Sequence, residues 1–186
     1  MRKARQDSIN SKQYIMEAVT LLIEKQDIED ITVTDICKKA GVARVTFYKY
    51  YTSIYDVMNA SVEKELNSFI RHLSGKDQRE HLTLELFTQL MTYKLSERRL
   101  PLERLVNSNA LSILLDYFTY AVQSLSASNM LFHNQLDRGS VLFAAGGMFN
   151  MVVEWIRDGF QEPVETLAER MARVIPKDML RADEET

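Results

Sequence analysis

The sequence predicts an all-α fold, with a small three-helix unit at the N-terminus and a larger helical bundle behind it. Apolar residues recur at three- and four-residue spacing through most of the 186 residues, and no alternating run lasts long enough for a strand. Six glycines and three prolines leave few breakers of helix. With 46% apolar and 26% charged residues, the chain is globular and long enough to bury a core.

In chain order, Ser8 or Ser11 caps a first helix that runs to about Lys25, with Ile15, Ala18, Val19 and Leu22 on one face. Arg2, Lys3 and Arg5 precede it as a flexible basic arm or a frayed terminus. Residues 26–31 have no helical register and form a connection. Thr32 and Asp35 make a capping box for a helix starting at Val33, whose apolar residues Val33, Ile36, Cys37 and Ala40 share a face and leave Lys38 and Lys39 outside. Gly41 ends that helix in a left-handed turn. A second short helix runs from Arg44 to Tyr50, with Val45, Phe47, Tyr48 and Tyr51 as candidates for its inward side; the polar neighbours of Tyr48 also allow its hydroxyl to reach outward. Ser53 and Asp56 form another capping box and open a long helix over 53–74 with Val57, Ala60, Val62, Leu66, Phe69, Ile70 and Leu73 on its apolar side, ended by Gly75. Further helices are predicted over 78–96, 101–108, 108 or 109 to 126, 134–159 and 163–174, with Pro101 and Pro163 in first turns, where a missing N–H costs nothing. The stretch 124–134 is the most loop-like.

Two short helices meeting at Gly41 have helix-turn-helix spacing. The second carries Arg44, Thr46, Tyr48, Lys49 and Tyr50 and no acidic residue. Arg and Lys supply charge for phosphates, the hydroxyls supply donors, and a short helix can enter a major groove about 12 Å wide. An ordinary helical hairpin with a solvated basic face would carry the same pattern. The net charge is −3, yet residues 1–55 hold nine basic against seven acidic residues, while the remainder is acidic. A basic head on an acidic body suits a polyanion, because phosphate attraction is screened within roughly 8–10 Å.

The run from Ile31 to Val57 resembles the N-terminal domain of TetR/AcrR transcriptional regulators. The resemblance rests on Thr32, Val33, Asp35 and Ile36, on Ala40, Gly41 and Val42 at the turn, on Thr46, Phe47, Tyr48 and Tyr51, and on Ser53, Asp56 and Val57. It implies a helix-turn-helix DNA-binding domain over 1–52 and a helical bundle for dimerisation and ligand binding over 53–186, with helix 53–74 connecting them. The DNA-contacting set it implies is Lys38, Arg44, Val45, Thr46, Tyr48, Lys49, Tyr50, Thr52 and Ser53. Two positions depart from the family's habit: Ala43 replaces a capping Ser or similar residue, and Ile54 replaces a Lys. The implied function is a homodimeric repressor on a palindromic operator of double-stranded DNA, released by a small-molecule effector. The alternative is a TetR-like helical protein that acts through small-molecule or protein binding without an operator.

Within the bundle, Leu90, Tyr93, Lys94, Leu114, Tyr117, Phe118 and Tyr120 are candidates to line a pocket for a small apolar or aromatic effector; large residues at this spacing otherwise fill plain core. The stretch 141–160 is apolar on two faces, and Gly146 and Gly147 allow close helix approach. Met148, Val152, Trp155 and Ile156, with Leu167 and Met171 from the next helix, are therefore candidates for a dimer interface. A fully buried central helix of a monomer would read the same way.

No apolar run approaches the roughly 18–20 residues that span a bilayer, and MRKARQDSIN lacks the apolar core of a secretory signal, so a cytoplasmic protein without a membrane partner is expected. One cysteine excludes an internal disulfide, and His72, His81 and His133 show no metal-ligand spacing with it. No phosphate-binding loop, dinucleotide fingerprint or nucleophile constellation stands out, so no cofactor and no enzymatic activity are expected.

Overall fold

The computed structural model describes residues 2–74, 83–128, 131–132 and 136–180. Among them the chain forms nine α-helices: α1 Arg2–Ile23, α2 Val33–Ala40, α3 Arg44–Tyr50, α4 Ile54–Ser74, α5 Leu84–Ser96, α6 Arg99–Val106, α7 Ser112–Ala127, α8 Arg138–Arg157 and α9 Val164–Val174. Short 3-10 turns lie at Ile28–Asp30 and Lys177–Met179. The only bridge of β type among the described residues pairs Phe132 with Leu180.

α1 packs on α2, α3 and α4, burying Ile15, Ala18 and Val19 in the head. The head includes the connection before α2, because Ile28 and Ile31 fold into its core. In the bundle α4 lies on α7, α7 on α8, and α5 on α9. The α5–α9 contact is close and polar at one point, where Thr88 Oγ1 donates to its own Leu84 carbonyl at 2.9 Å and reaches the Ala168 carbonyl of α9 at 3.3 Å.

Several predicted boundaries move. Ser8 and Ser11 lie inside α1 rather than capping it, and the helix takes in Arg2, Lys3 and Arg5, since nothing in that stretch breaks a helix. α7 begins at Ser112, not at 108 or 109, because Ser108 turns back onto the Leu105 carbonyl and accepts from the Ala110 amide. Pro163 is the N-cap of α9 rather than its first helical residue. α8 starts at Arg138, capped by Asp137, whose Oδ1 accepts from Gly139 and Ser140. Hydrogen bonds from Ser140, first from its side chain and then from its amide, and from Gly139 hold the Asp137 carboxyl below its ordinary pKa. Gly75, Gln78, His81, Leu82, His133 and Asn134, which figure in the sequence reading, lie outside the described residues, as do the side chains of His72 and Leu73.

α8 bears on two expectations. By length and composition it is apolar enough to cross a membrane, at 20 residues with mean hydropathy 1.3. Its apolar side is instead taken up by α6, α7 and α9. The proposed dimer-contact residues Met148, Val152, Trp155, Ile156, Leu167 and Met171 are all at most 4% exposed in the single chain, buried within its own core. Trp155 is held there by its Nε1–H, which donates to the Glu162 carbonyl at 2.8 Å, and by an edge contact to Phe160 at 4.8 Å between centroids. The outer stripe of α8 is a different one, running through Leu142, Phe143, Gly146 and Gly147 to Asn150.

Candidate nucleic-acid interface

α2 starts where local chemistry dictates. The Asp35 amide donates to Thr32 Oγ1 at 3.2 Å, and the Thr32 amide returns a bond to Asp35 Oδ2 at 3.1 Å, a complete capping box. The Thr32 hydroxyl, which donates to Asp35 Oδ2, and then the Thr32 amide hold the Asp35 carboxyl below its ordinary pKa. Gly41 adopts φ 66°, ψ 30°, and the amides of Gly41 and Val42 both donate to the Cys37 carbonyl. A side chain at Gly41 would meet no steric obstacle, so the glycine is there for its left-handed backbone. Cys37 is buried beneath, with its thiol pKa pushed up by that burial.

α3 is anchored by Phe47, fully buried, and by Tyr51, 4% exposed, whose rings lie 6.1 Å apart. Burial, and then the nearby Asp56, push the Tyr51 hydroxyl's pKa up. The opposite face of α3 is open: Arg44, Val45, Tyr48 and Lys49 are exposed, Val45 at 78% and Tyr48 at 52%. This corrects the inward placement of Val45 and selects the outward alternative for Tyr48. Phe47 and Tyr51, four residues apart and so on one face, take the short contact that α3 makes with α1 and α2. Thr46 and Tyr50 are half-buried at the flanks, with the Nζ atoms of Lys12 and Lys49 5.3 and 5.2 Å from the Tyr50 ring centroid. The arrangement gathers cations and hydroxyls on one solvent-facing helix surface, with Lys38 exposed on α2 beside the turn.

Two residues of the predicted set have a second task. Ser53 Oγ accepts from the Asp56 amide at 3.2 Å, and Asp56 Oδ2 accepts from the Thr52 amide at 2.9 Å and from its hydroxyl at 3.3 Å, so Thr52 and Ser53 cap α4. The Ser53 hydroxyl hydrogen is left over from that cap. The departures also have structural counterparts. Ala43 has the extended backbone of an N-cap, φ −73° and ψ 150°, but supplies no side-chain bond, and Ile54 packs against the core.

The residues proposed for an effector pocket differ in burial, and Tyr117 and Phe118 meet edge-on at 5.4 Å between ring centroids. Leu114 and Phe118 are in the closed core at 3% and 1% exposure, whereas Tyr93 and Lys94 are exposed, Lys94 lying 3.4 Å from Glu97. Leu90 is half-buried. Tyr117 donates to Met91 Sδ at 3.3 Å, with its pKa pushed up chiefly by burial, and Tyr120 donates to Asn67 Oδ1 at 2.9 Å. A cleft of about 740 Å³ opens elsewhere, between α1, α4, α6 and the start of α7, and none of these residues lines it. Sequence spacing could not find it, because its walls come from both domains. Among the described residues no group of His, Cys, Asp or Glu could hold a metal.

The described residues thus form a helix-turn-helix head with an exposed basic helix, set on an all-helical bundle. Residues 15–60 match the family of bacterial regulatory proteins known as the tetR family. That match lies within the head and the start of α4. An HTH-type transcriptional regulator of Staphylococcus aureus (strain bovine RF122 / ET3-1) is 25% identical over 91 residues, 49% of each chain. The chain spans about half the length, or less, of the curated relatives it matches. Among solved structures, a TetR transcriptional regulator from Rhodococcus sp. RHA1 superposes with TM-score 0.63 at 14% identity, covering 90% of this chain and 94% of the other. The Thermus thermophilus FadR, described as a TetR-family repressor in complex with lauroyl-CoA, superposes with TM-score 0.61 at 18% identity, covering 94% and 98%. At these identities the superpositions establish the fold.

Proposed function

We propose that this chain is a cytoplasmic transcriptional repressor that binds a palindromic DNA operator as a homodimer and lets go when a small molecule binds. The observation that carries this is the exposed face of α3, where Arg44, Val45, Tyr48 and Lys49 stand outward from the Phe47–Tyr51 anchor with no carboxylate on the helix. Arg44, Lys49 and Lys38 are assigned to phosphates or guanine edges, Val45 to a thymine methyl, and Thr46, Tyr48 and Tyr50 to phosphate oxygens. Thr52 and Ser53 lie at the edge of this surface, and the spare Ser53 hydrogen suits a phosphate. Residues 1–52 form the DNA-binding unit and 53–186 the regulatory one, joined through α4.

Dimerisation is assigned to the outer stripe of α8. Leu142 and Phe143 are 48% and 61% exposed, and the open space beside Gly146 and Gly147 admits a neighbouring helix. Two-fold symmetry would then set two α3 helices in major grooves about 34–36 Å apart, or a multiple of that. The repressor sense and the small-molecule effector are supported by the description of the Thermus relative.

A gel-shift series of the full chain, against DNA upstream of its own gene and against a selected random pool, tests the proposal. A salt-sensitive, sequence-dependent shift is the expected result. No such shift on either DNA would leave a TetR-like protein working through small-molecule or protein contacts, which the uncapped Ala43 and the core-packed Ile54 favour.

A further inference from the structure

The cleft between head and bundle has the volume of a small-molecule site, about 740 Å³. Its apolar lining is shared by both domains: Val19 and Ile23 from α1, Met58 and Val62 from α4, Leu105 from α6 and Ile113 from α7. The Thr20 and Ser61 hydroxyls also line it, but they donate backward to the carbonyls of Met16 at 3.1 Å and Val57 at 2.9 Å, so no hydroxyl hydrogen is aimed into the cleft.

Charged groups complete the lining. Arg98, Arg99 and the first turn of α6 line the cleft, and Arg98 at the N-cap supplies no side-chain cap to that turn. Arg98 is spent on Glu65 at 2.8 Å, and Glu97 on Lys94 at 3.4 Å. Arg99 pairs with no carboxylate among the described residues; its guanidinium lies 4.9 Å from the Phe160 ring centroid. Glu24, just past the end of α1, also lines the cleft. With Arg98 and Glu97 both paired, a bound cation would meet Glu24 but also Arg99 and the positive end of α6, whereas a bound carboxylate meets the Arg99 guanidinium and that favourable helix end.

We propose that this interdomain cleft is the effector site, and that it takes an amphipathic carboxylate whose apolar body lies on the Val19–Met58–Leu105 floor and whose head group sits on Arg99. The effector role rests on the regulator reading above; the site itself does not. Coupling to the head is direct, since Ile23 both lines the cleft and gives its carbonyl to Arg104 of α6. A ligand that fits one spacing of α1 and α6 better than another shifts the head by that difference in affinity.

The sole tryptophan provides the readout, because Trp155 stacks edge-on with the Phe160 ring that Arg99 covers. The full chain is titrated with decanoate, decylammonium and decanol while Trp155 emission is followed. Decanoate is expected to give a saturable change, with the amine and the alcohol about tenfold weaker. Arg99→Gln, at an exposed position, is expected to weaken decanoate about tenfold and leave decanol unchanged. Ser61→Phe, which fills the cleft, is expected to abolish the response. Equal affinity for all three compounds, no saturation by any, or decanoate affinity unchanged in both variants overturns the site. Decanoate that binds at saturation without altering operator affinity overturns the effector role. A chain that binds decanoate yet shifts no DNA removes the regulator reading and leaves the carboxylate site standing.

Discussion

The Arg104 Nε lies 3.4 Å from the Asp27 carboxylate, and the same guanidinium donates to the carbonyl of Ile23 at the end of α1. A second strap joins the same surfaces, with the Asn109 amide donating to Glu29 Oε1 at 2.9 Å. The helical bundle is thereby pinned to the head through α6 and the turn after it, apart from the covalent link through α4. Asp27 is 72% exposed and Arg104 23%, so the ion pair is largely screened and the half-buried bond to the backbone carbonyl is the stronger part. Arg104→Ala is expected to lower stability by about 1–2 kcal/mol. Asp27→Ala is expected to cost less than about 0.5 kcal/mol. Urea unfolding of both variants checks the order, and equal losses would make the ion pair the dominant element.

On α3 the two faces should respond differently. Phe47→Ala removes a fully buried ring and is expected to cost about 3–5 kcal/mol in unfolding free energy. Tyr48→Ala and Arg44→Ala should melt like the parent chain while weakening operator binding by about tenfold or more. Paired melting and gel-shift measurements separate these outcomes; a Tyr48 variant that binds normally would remove that residue from the interface.

Ala43 is an N-cap with the right backbone and no capping group. Ala43→Ser should add a bond to an orphan amide of the first turn of α3, stabilising the chain by about 1 kcal/mol. The same cap should firm α3 and, on the proposed function, tighten operator binding. Unaltered melting and affinity in the Ala43→Ser chain would mean that the first turn of α3 does not limit either.

Gly147 is exposed, and an added Cβ there would meet nothing within 4 Å. Gly147→Leu is therefore expected to leave the protomer's melting intact when dilute but to block close approach of a second α8. Sedimentation should show a monomer at concentrations where the parent chain dimerises. An unchanged dimer would move the interface off this stripe.

Asp35 and Asp137, the acids that close the caps of α2 and α8, both titrate below their ordinary value of 3.8 in the folded chain. A depressed carboxyl contributes stability that is present in full above its unfolded pKa and is lost as pH falls through the folded value. Stability from these caps should therefore be flat near neutrality and decline only below about pH 4. Carboxyl titration by NMR checks the direction; a value at or above the ordinary one would remove the cap from that residue.

The head was legible in the chain because its determinants are local. Thr32 and Asp35 are three residues apart, Gly41 answers a single backbone conformation, and Ser53 with Asp56 repeats the cap at α4, so spacing alone states the bond. The match over residues 15–60 covers that stretch. The start of α1 was not legible, because Ser8 and Ser11 can cap a helix or lie within one, and only the absence of a competing fold decides.

Sequence alone determined that this protein is all helical, that two short helices turn at Gly41, and that a basic, acid-free helix follows. Tertiary structure decided which residues of that helix face out, since Val45 and Phe47 are equally apolar and only the packing of α1 and α2 chooses Phe47. It also turned Met148, Val152 and Ile156 of α8 inward and left Leu142 and Phe143 outside, and it assembled the cleft from Ile23, Met58 and Leu105. A cap is a bond between near neighbours and is written in spacing. The choice between two apolar faces, and a cavity between domains, depends on neighbours that are distant in sequence and are settled only when the chain packs.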